Sequence, residues 1–267
     1  MIKDITIGQY FPGKSVIHRL DPRVKILLSL AYIILLFVAS SMTGLAVGAG
    51  FILVCYLISR IPLKMILKSL KPIVPIVIFT AVLNMLFVDG KVLWEWAFIR
   101  ITEEGLLMAA LLASRIICLI AGTTLLTYTT SPIALTDGIE RLLSPLKKLK
   151  LPVHELAMMM TIALRFIPTL IEETDKIMSA QKARGADMET GSLVQRAKAL
   201  VPILIPLFVS SFRRADELAL AMECRCYRGG EGRTRMKQLK LSLRDLGASV
   251  VMAFAFAAVI AINFYTL

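Results

Sequence analysis

What most limits the fold open to this chain is a set of long apolar runs separated by short polar or basic links. Five qualify as membrane-spanning helices: Ile26 to Met42, Thr43 to Ile58, Pro72 to Val88, Leu106 to Tyr128 and Leu246 to Leu267. A bilayer core of about 30 Å needs roughly 17 to 25 apolar helical residues. The first three runs sit at or slightly below that lower limit, and the tight link Ser40-Ser41-Met42-Thr43-Gly44 predicts that the first two form a hairpin. Composition agrees: 57% of the 267 residues are hydrophobic and 19% charged, whereas soluble domains are about 45 to 50% apolar. The expected fold class is an all-α integral membrane protein with about five transmembrane helices and additional long helices at or near the inner surface.

Sidedness follows from Lys and Arg in the short connections. Lys3, Lys14, Arg19, Arg23 and Lys25 precede the first span, the Ser40 to Gly44 link carries none, and Arg60, Lys64, Lys68 and Lys71 follow the second. The N-terminus is therefore expected on the cytoplasmic side. The connection after the third span sets Asp89, Glu95, Glu103 and Glu104 against Lys91 and Arg100 and should face outward. The opening "MIKDITIGQYFPGKS" holds no apolar core of signal-peptide length, so no cleavage is expected there. These counts divide the chain into a four-span membrane domain at 1–130, a cytosolic region at 131–245 and a final span at 246–267.

The cytosolic assignment has to accommodate two further apolar stretches, Leu156 to Ile171 and Ala199 to Phe212. The first carries Arg165 and Pro168. The second has 14 residues with Pro202 and Pro206, which at 1.5 Å per residue cover about 21 Å, short of a span. Lys176, Lys182, Arg184, Arg196 and Lys198 between them also argue against export. Both are read as helices at or dipping into the inner interface, each beginning apolar and ending basic. Leu170, Ile177 and Arg184 recur at sevens in one, and Ala219, Met222 and Cys226 keep a stripe in the other.

The two segments form a weak repeat: Ile167-Pro168 and Ile205-Pro206, then "EETDK" and "RRADE", then an arginine between small residues. Pro168 to Arg184 is 16 residues and Pro206 to Arg225 is 19. Glycine after a last helical turn is the usual left-handed cap, and a cation there suits the helix dipole; that alone accounts for Gly185 and for Gly229-Gly230. The sharper reading is that Ala183 and Gly185, or Cys224 and Cys226, let Arg184 and Arg225 project without flanking bulk into acidic grooves of another protein, with bidentate carboxylate contacts.

These residues resemble the transmembrane T component of energy-coupling factor transporters, a branch of the ABC transporters. The resemblance covers nearly the whole chain: the opening "GQYFPGKSVIHRLDPRVKILL" from Gly8 to Leu28, the span order, Ala183-Arg184-Gly185, and Cys224-Arg225-Cys226 in place of a second Ala-Arg-Gly. It implies two cytosolic ABC ATPase subunits bound at Arg184 and Arg225, and a separate membrane S component that captures a vitamin or other micronutrient. The segment 131–245 would then be a coupling-helix region that transmits ATPase closure to the S component. ATP and magnesium would be held by the ATPases, with no cofactor on this chain.

Other classes fit less well. The net charge of +12 is spread between apolar runs instead of along one solvent face, so no nucleic-acid partner is expected. A P-loop is absent, His18 and His154 lie 136 residues apart, and no sequel to Asp89-Gly90 or Asp137-Gly138 supplies a phosphotransferase centre. The chain is therefore not expected to be an enzyme. The four cysteines suggest neither a disulfide framework nor a zinc site. A self-contained carrier or channel is the alternative; it would place ionisable groups inside its spans, where only Arg115 lies deep.

Overall fold

A computed structural model describes residues 10–96, 99–149, 152–186, 192–229 and 239–266. Lys3, Gly230 and residues 231–237 of the basic loop lie outside them. The chain divides into two compact units, Gly8–Gly138 with Gln238–Leu267, and Ile139–Lys237.

In the first unit, α1 (Pro22–Val38) and α2 (Met42–Ser59) form the expected hairpin. Helix α3 (Leu63–Leu70) runs through one 3₁₀ turn into α4 (Val74–Phe87), and α5 (Glu103–Thr129) and α9 (Leu243–Thr266) complete the set. A small antiparallel ribbon of β1 (Val92–Trp96) and β2 (Ile99–Thr102) stands between α4 and α5, where the sequence reading held only a connection. The class remains all-α membrane protein. Six helices among the described residues are long and apolar enough to cross a bilayer; α1, at 17 residues, covers about 25 Å.

The buried centre of this unit is Tyr32, Leu35 and Leu36 of α1, Ile52 and Tyr56 of α2, Tyr128 of α5 and Val259 of α9. Each tyrosine hydroxyl donates to a carbonyl of another helix: Tyr32 to Gly48 at 3.1 Å, Tyr56 to Ala121 at 2.8 Å and Tyr128 to Met65 at 3.0 Å. An aromatic body packs while its polar tip is satisfied, which is the condition for burying tyrosine. Gly122 makes this possible on α5, because a Cβ there would lie 2.5 Å from the Tyr32 ring. Arg115 donates to the Ala39 carbonyl at the end of α1 at 2.6 Å, so its charge faces protein.

At the basic end the "HRLDPR" opening becomes a polar knot. Asp21 is the N-cap of α1, accepting from the Arg23 N–H at 2.9 Å, and Pro22 takes the first helical position where its missing N–H is harmless. Burial works against ionisation of Asp21, yet the Arg23 hydrogen bonds prevail and hold its carboxyl below the usual carboxylate range. The Asp21 N–H donates to Asp245 at 2.8 Å, and Asp245 also accepts from the Ser242 N–H and hydroxyl at the start of α9. Buried Lys25 donates to the carbonyls of Thr129 at 2.7 Å and His18 at 3.1 Å, closing the end of α5. His18 in turn bonds Ser15 and the Phe11 carbonyl.

The second unit contains the last residues of α6 (Pro132–Leu143), a 3₁₀ segment to Leu149, and two long helices, α7 (Val153–Ala183, 31 residues) and α8 (Leu193–Cys224, 32 residues). The sequence-based length limit on the second apolar stretch is overturned: α8 runs unbroken through Pro202 and Pro206, so it reaches about 48 Å and holds a window long enough to cross a bilayer, as α7 does. It starts at a capping box in which Ser192 and Gln195 satisfy one another's N–H.

Replacing Lys25 with Met keeps the stem and removes both buried hydrogen bonds. The expected cost is about 2 kcal/mol for two carbonyls left unpaired, read as a lower midpoint for thermal unfolding of the purified chain in detergent. An unchanged midpoint would show that the knot does not hold the helix ends.

Candidate functional site

The two arginine tips are built alike at the backbone. At the end of α7, Arg184 is the C-cap, Gly185 takes φ +87°, its N–H donates to Lys182, and the Ala186 N–H reaches back to Gln181. At the end of α8, Arg225 is the C-cap, Cys226 takes φ +55°, its N–H donates to Glu223, and the Tyr227 N–H reaches Met222. Both are the paired 6→1 and 5→2 closure of a helix end. Glycine at 185 was expected in this role; at the second tip Cys226 fills it, and Gly229, assigned to it from the sequence, lies beyond the cap. A non-glycine residue in the left-handed region costs roughly 1 kcal/mol.

All six predicted residues, Ala183, Arg184, Gly185, Cys224, Arg225 and Cys226, are exposed. Neither guanidinium has a side-chain partner among the described residues, and a Cβ on Gly185 would meet no atom within 4 Å. The small neighbours thus leave both charges free to enter a complementary surface.

The structure does not bring the tips together. Helices α7 and α8 pack antiparallel: Gln181 near the end of α7 contacts Pro202 near the start of α8, whereas Glu173 contacts Ser210 and Arg214 further along. Glu173 accepts from both the Ser210 hydroxyl and the Arg214 guanidinium, a charge-assisted pair in partly buried surroundings. It lies 11 residues from Arg184, and Arg214 lies 11 residues from Arg225. Counted from the ion pair each arm is 11 residues, about 16 Å; counted from Ser210, which meets the same carboxylate, the α8 arm is 15 residues. The tips point opposite ways, on the order of 30 to 40 Å apart at 1.5 Å of rise per residue, so one groove cannot hold both.

Gln181 has a second role that linear spacing could not reveal. Proline has no N–H, so Pro206 leaves the carbonyl four residues earlier without its helical donor. That carbonyl belongs to Pro202, and the Gln181 side-chain amide donates to it at 3.2 Å. A proline interruption in α8 is thereby repaired by α7. The sequence signal for the ion pair was the mixed-charge "EETDK" and "RRADE" of the repeat; which of its charges meet is decided by the crossing.

Two measurements follow from this geometry. Cys226→Gly should stabilise the end of α8 by about 0.5 to 1 kcal/mol, and Gly185→Ala should destabilise the end of α7 by a similar amount, both read from hydrogen-exchange protection of the last turns. A double-mutant cycle of Glu173→Ala and Arg214→Ala should return a coupling of about 1 kcal/mol in chemical unfolding; additive single effects would show that the pair carries no crossing energy.

Comparison with known proteins bears on what these helices serve. Residues 13–236 match the family CbiQ, described as cobalt transport protein. A protein of Clostridium kluyveri called energy-coupling factor transporter transmembrane protein EcfT is 63% identical over 252 residues, covering 94% of this chain and 93% of its own length. Proteins of the same name from Thermosediminibacter oceani and Bacillus subtilis are 59% and 49% identical, over 93% and 94% of this chain and 94% and 95% of theirs. Identity of this extent across both units shows that the chain belongs to the family of energy-coupling factor transporter transmembrane proteins, as a multi-pass membrane component of such a transporter.

Proposed function

We propose that this chain is the mechanical coupler of its transporter, gripped at Arg184 by one cytosolic ABC ATPase and at Arg225 by a second. ATP and its magnesium are held by those ATPases, and this chain performs no chemistry of its own. Closure of the ATPase pair moves the two tips, α7 and α8 carry the motion, and an S component in the membrane responds by releasing its cargo inward. The cargo is a vitamin or another micronutrient chosen by the S component; the cobalt in the matching family's description is one such class. The N-terminus and both tips lie on the cytoplasmic side, in keeping with the basic residues around them.

The observation that carries this reading is the pair of matched helix ends. Two unpartnered, permanently charged guanidiniums flanked by small residues stand at opposite ends of one antiparallel helix pair pinned by an ion pair. That arrangement suits two like partners. A single partner would have to span the length of the helix pair to meet both. The apolar, methionine-bearing half of α7, with Met158, Met159 and Met160, suits a surface that repacks against a neighbour.

In the assembled transporter, Arg184→Glu or Arg225→Glu is expected to lower ATPase retention on copurification by tenfold or more, as expected for a central arginine opposed by carboxylates. The double substitution is expected to abolish uptake while the S component still binds its substrate. Full uptake by the double variant would overturn the proposal.

A further inference from the structure

The first unit forms a half-open cavity of about 470 Å³ between the N-terminal segment, α1, α2, α5 and α9, within the range of small-molecule sites. Its two ends differ in chemistry. Lys25 and Ser29 lie toward the start of α1, Thr129 ends α5, and Arg244 lies in the first turn of α9, so the charged and aliphatic-hydroxyl wall residues gather at one end. The other end is made by mid-helix residues such as Tyr32, Phe51 and Met252.

Hydrogen-bonding capacity follows the same division. In the apolar end the Tyr32 hydroxyl is already committed to the Gly48 carbonyl, so a ligand there meets hydrocarbon and ring faces. At the polar end the Arg244 guanidinium and the Ser29 hydroxyl have no partner among the described residues. Lys25 uses two of its three protons on the carbonyls of His18 and Thr129. Asp21 and Asp245 reduce the positive charge at this end without cancelling it, because Arg23, Lys25 and Arg244 set three cations against their two carboxylates.

We propose that this cavity seats one acyl chain of an anionic phospholipid, with the phosphate held at the mouth by Arg244 and Ser29. A molecule polar at one end only, negative there and hydrocarbon elsewhere, is what such walls complement. A soluble metabolite carries polar groups on several sides and would leave most of them unpaired against the apolar end. The phospholipid fills the space that α1, α2, α5 and α9 leave between them and joins those helices below the knot of Lys25 and Asp245. This seat is independent of the coupling role proposed for the arginine tips.

The experiment is native mass spectrometry of the purified full chain with phosphatidylglycerol or phosphatidylcholine of matched acyl chains. One phosphatidylglycerol is expected to survive activation that strips the others, and phosphatidylcholine is expected to be lost. Arg244→Gln should reduce the preference for phosphatidylglycerol about tenfold. Gly247 lines the cavity and a Cβ there would meet no atom within 4 Å, so Gly247→Leu should fill it and remove the retained lipid. Ala248→Leu serves if that variant does not fold. Equal retention of both lipids by the unaltered chain, undiminished retention in the filled variant, or cross-linking of Gly247→Cys to a partner protein's helix instead of a lipid would each overturn the proposal.

Discussion

One buried ammonium sets the geometry of the membrane unit. A lysine withdrawn from water is costly unless its protons are accepted, and Lys25 finds the end of α5 and the turn at His18 as acceptors. Those carbonyls are themselves ones that a helix end and a turn leave unpaired. Each partner removes the other's penalty, so the knot forms only when α1, α5 and the N-terminal segment are in register. Asp245 extends the condition to α9 by receiving the Asp21 N–H while capping its own helix. Segments more than 200 residues apart are thus locked at one level, and the tyrosines then fasten the helices along their length.

The second unit depends on a different kind of repair. Three prolines stand inside α7 and α8, yet both helices continue. Each proline removes one helical hydrogen bond, and the carbonyl released by Pro206 is taken up by Gln181 of the neighbour. The weakening of α8 therefore becomes a point of attachment to α7, and Glu173 supplies a second one further along. Two attachments fix both the direction and the stagger of the crossing.

Much of this was legible from residue order. Apolar runs located α1, α2, α4, α5 and α9. The tips were legible too, since arginine followed by glycine is a helix end. What escaped depends on partners distant in sequence. Pro202 and Pro206 argued for a short α8 while Gln181 was unseen; Cys226 did not announce itself as a cap because glycines follow it; Lys25 read only as one of the basic residues before the first span, and nothing near Asp245 pointed to its distant partner. The ribbon at Val92–Trp96 escaped because five residues between two spans look like any connection.

The opposed directions of α7 and α8 have a mechanical consequence. Forces of equal size and opposite direction applied at the two arginines have no net thrust on the helix pair; they sum to a pure torque about its midpoint. Such a pair behaves as a propeller blade on a hub, turning in place where a one-sided arm would be dragged. Lengthening either arm by one turn, about 5.4 Å, would widen the separation of the two forces and raise the torque without adding thrust.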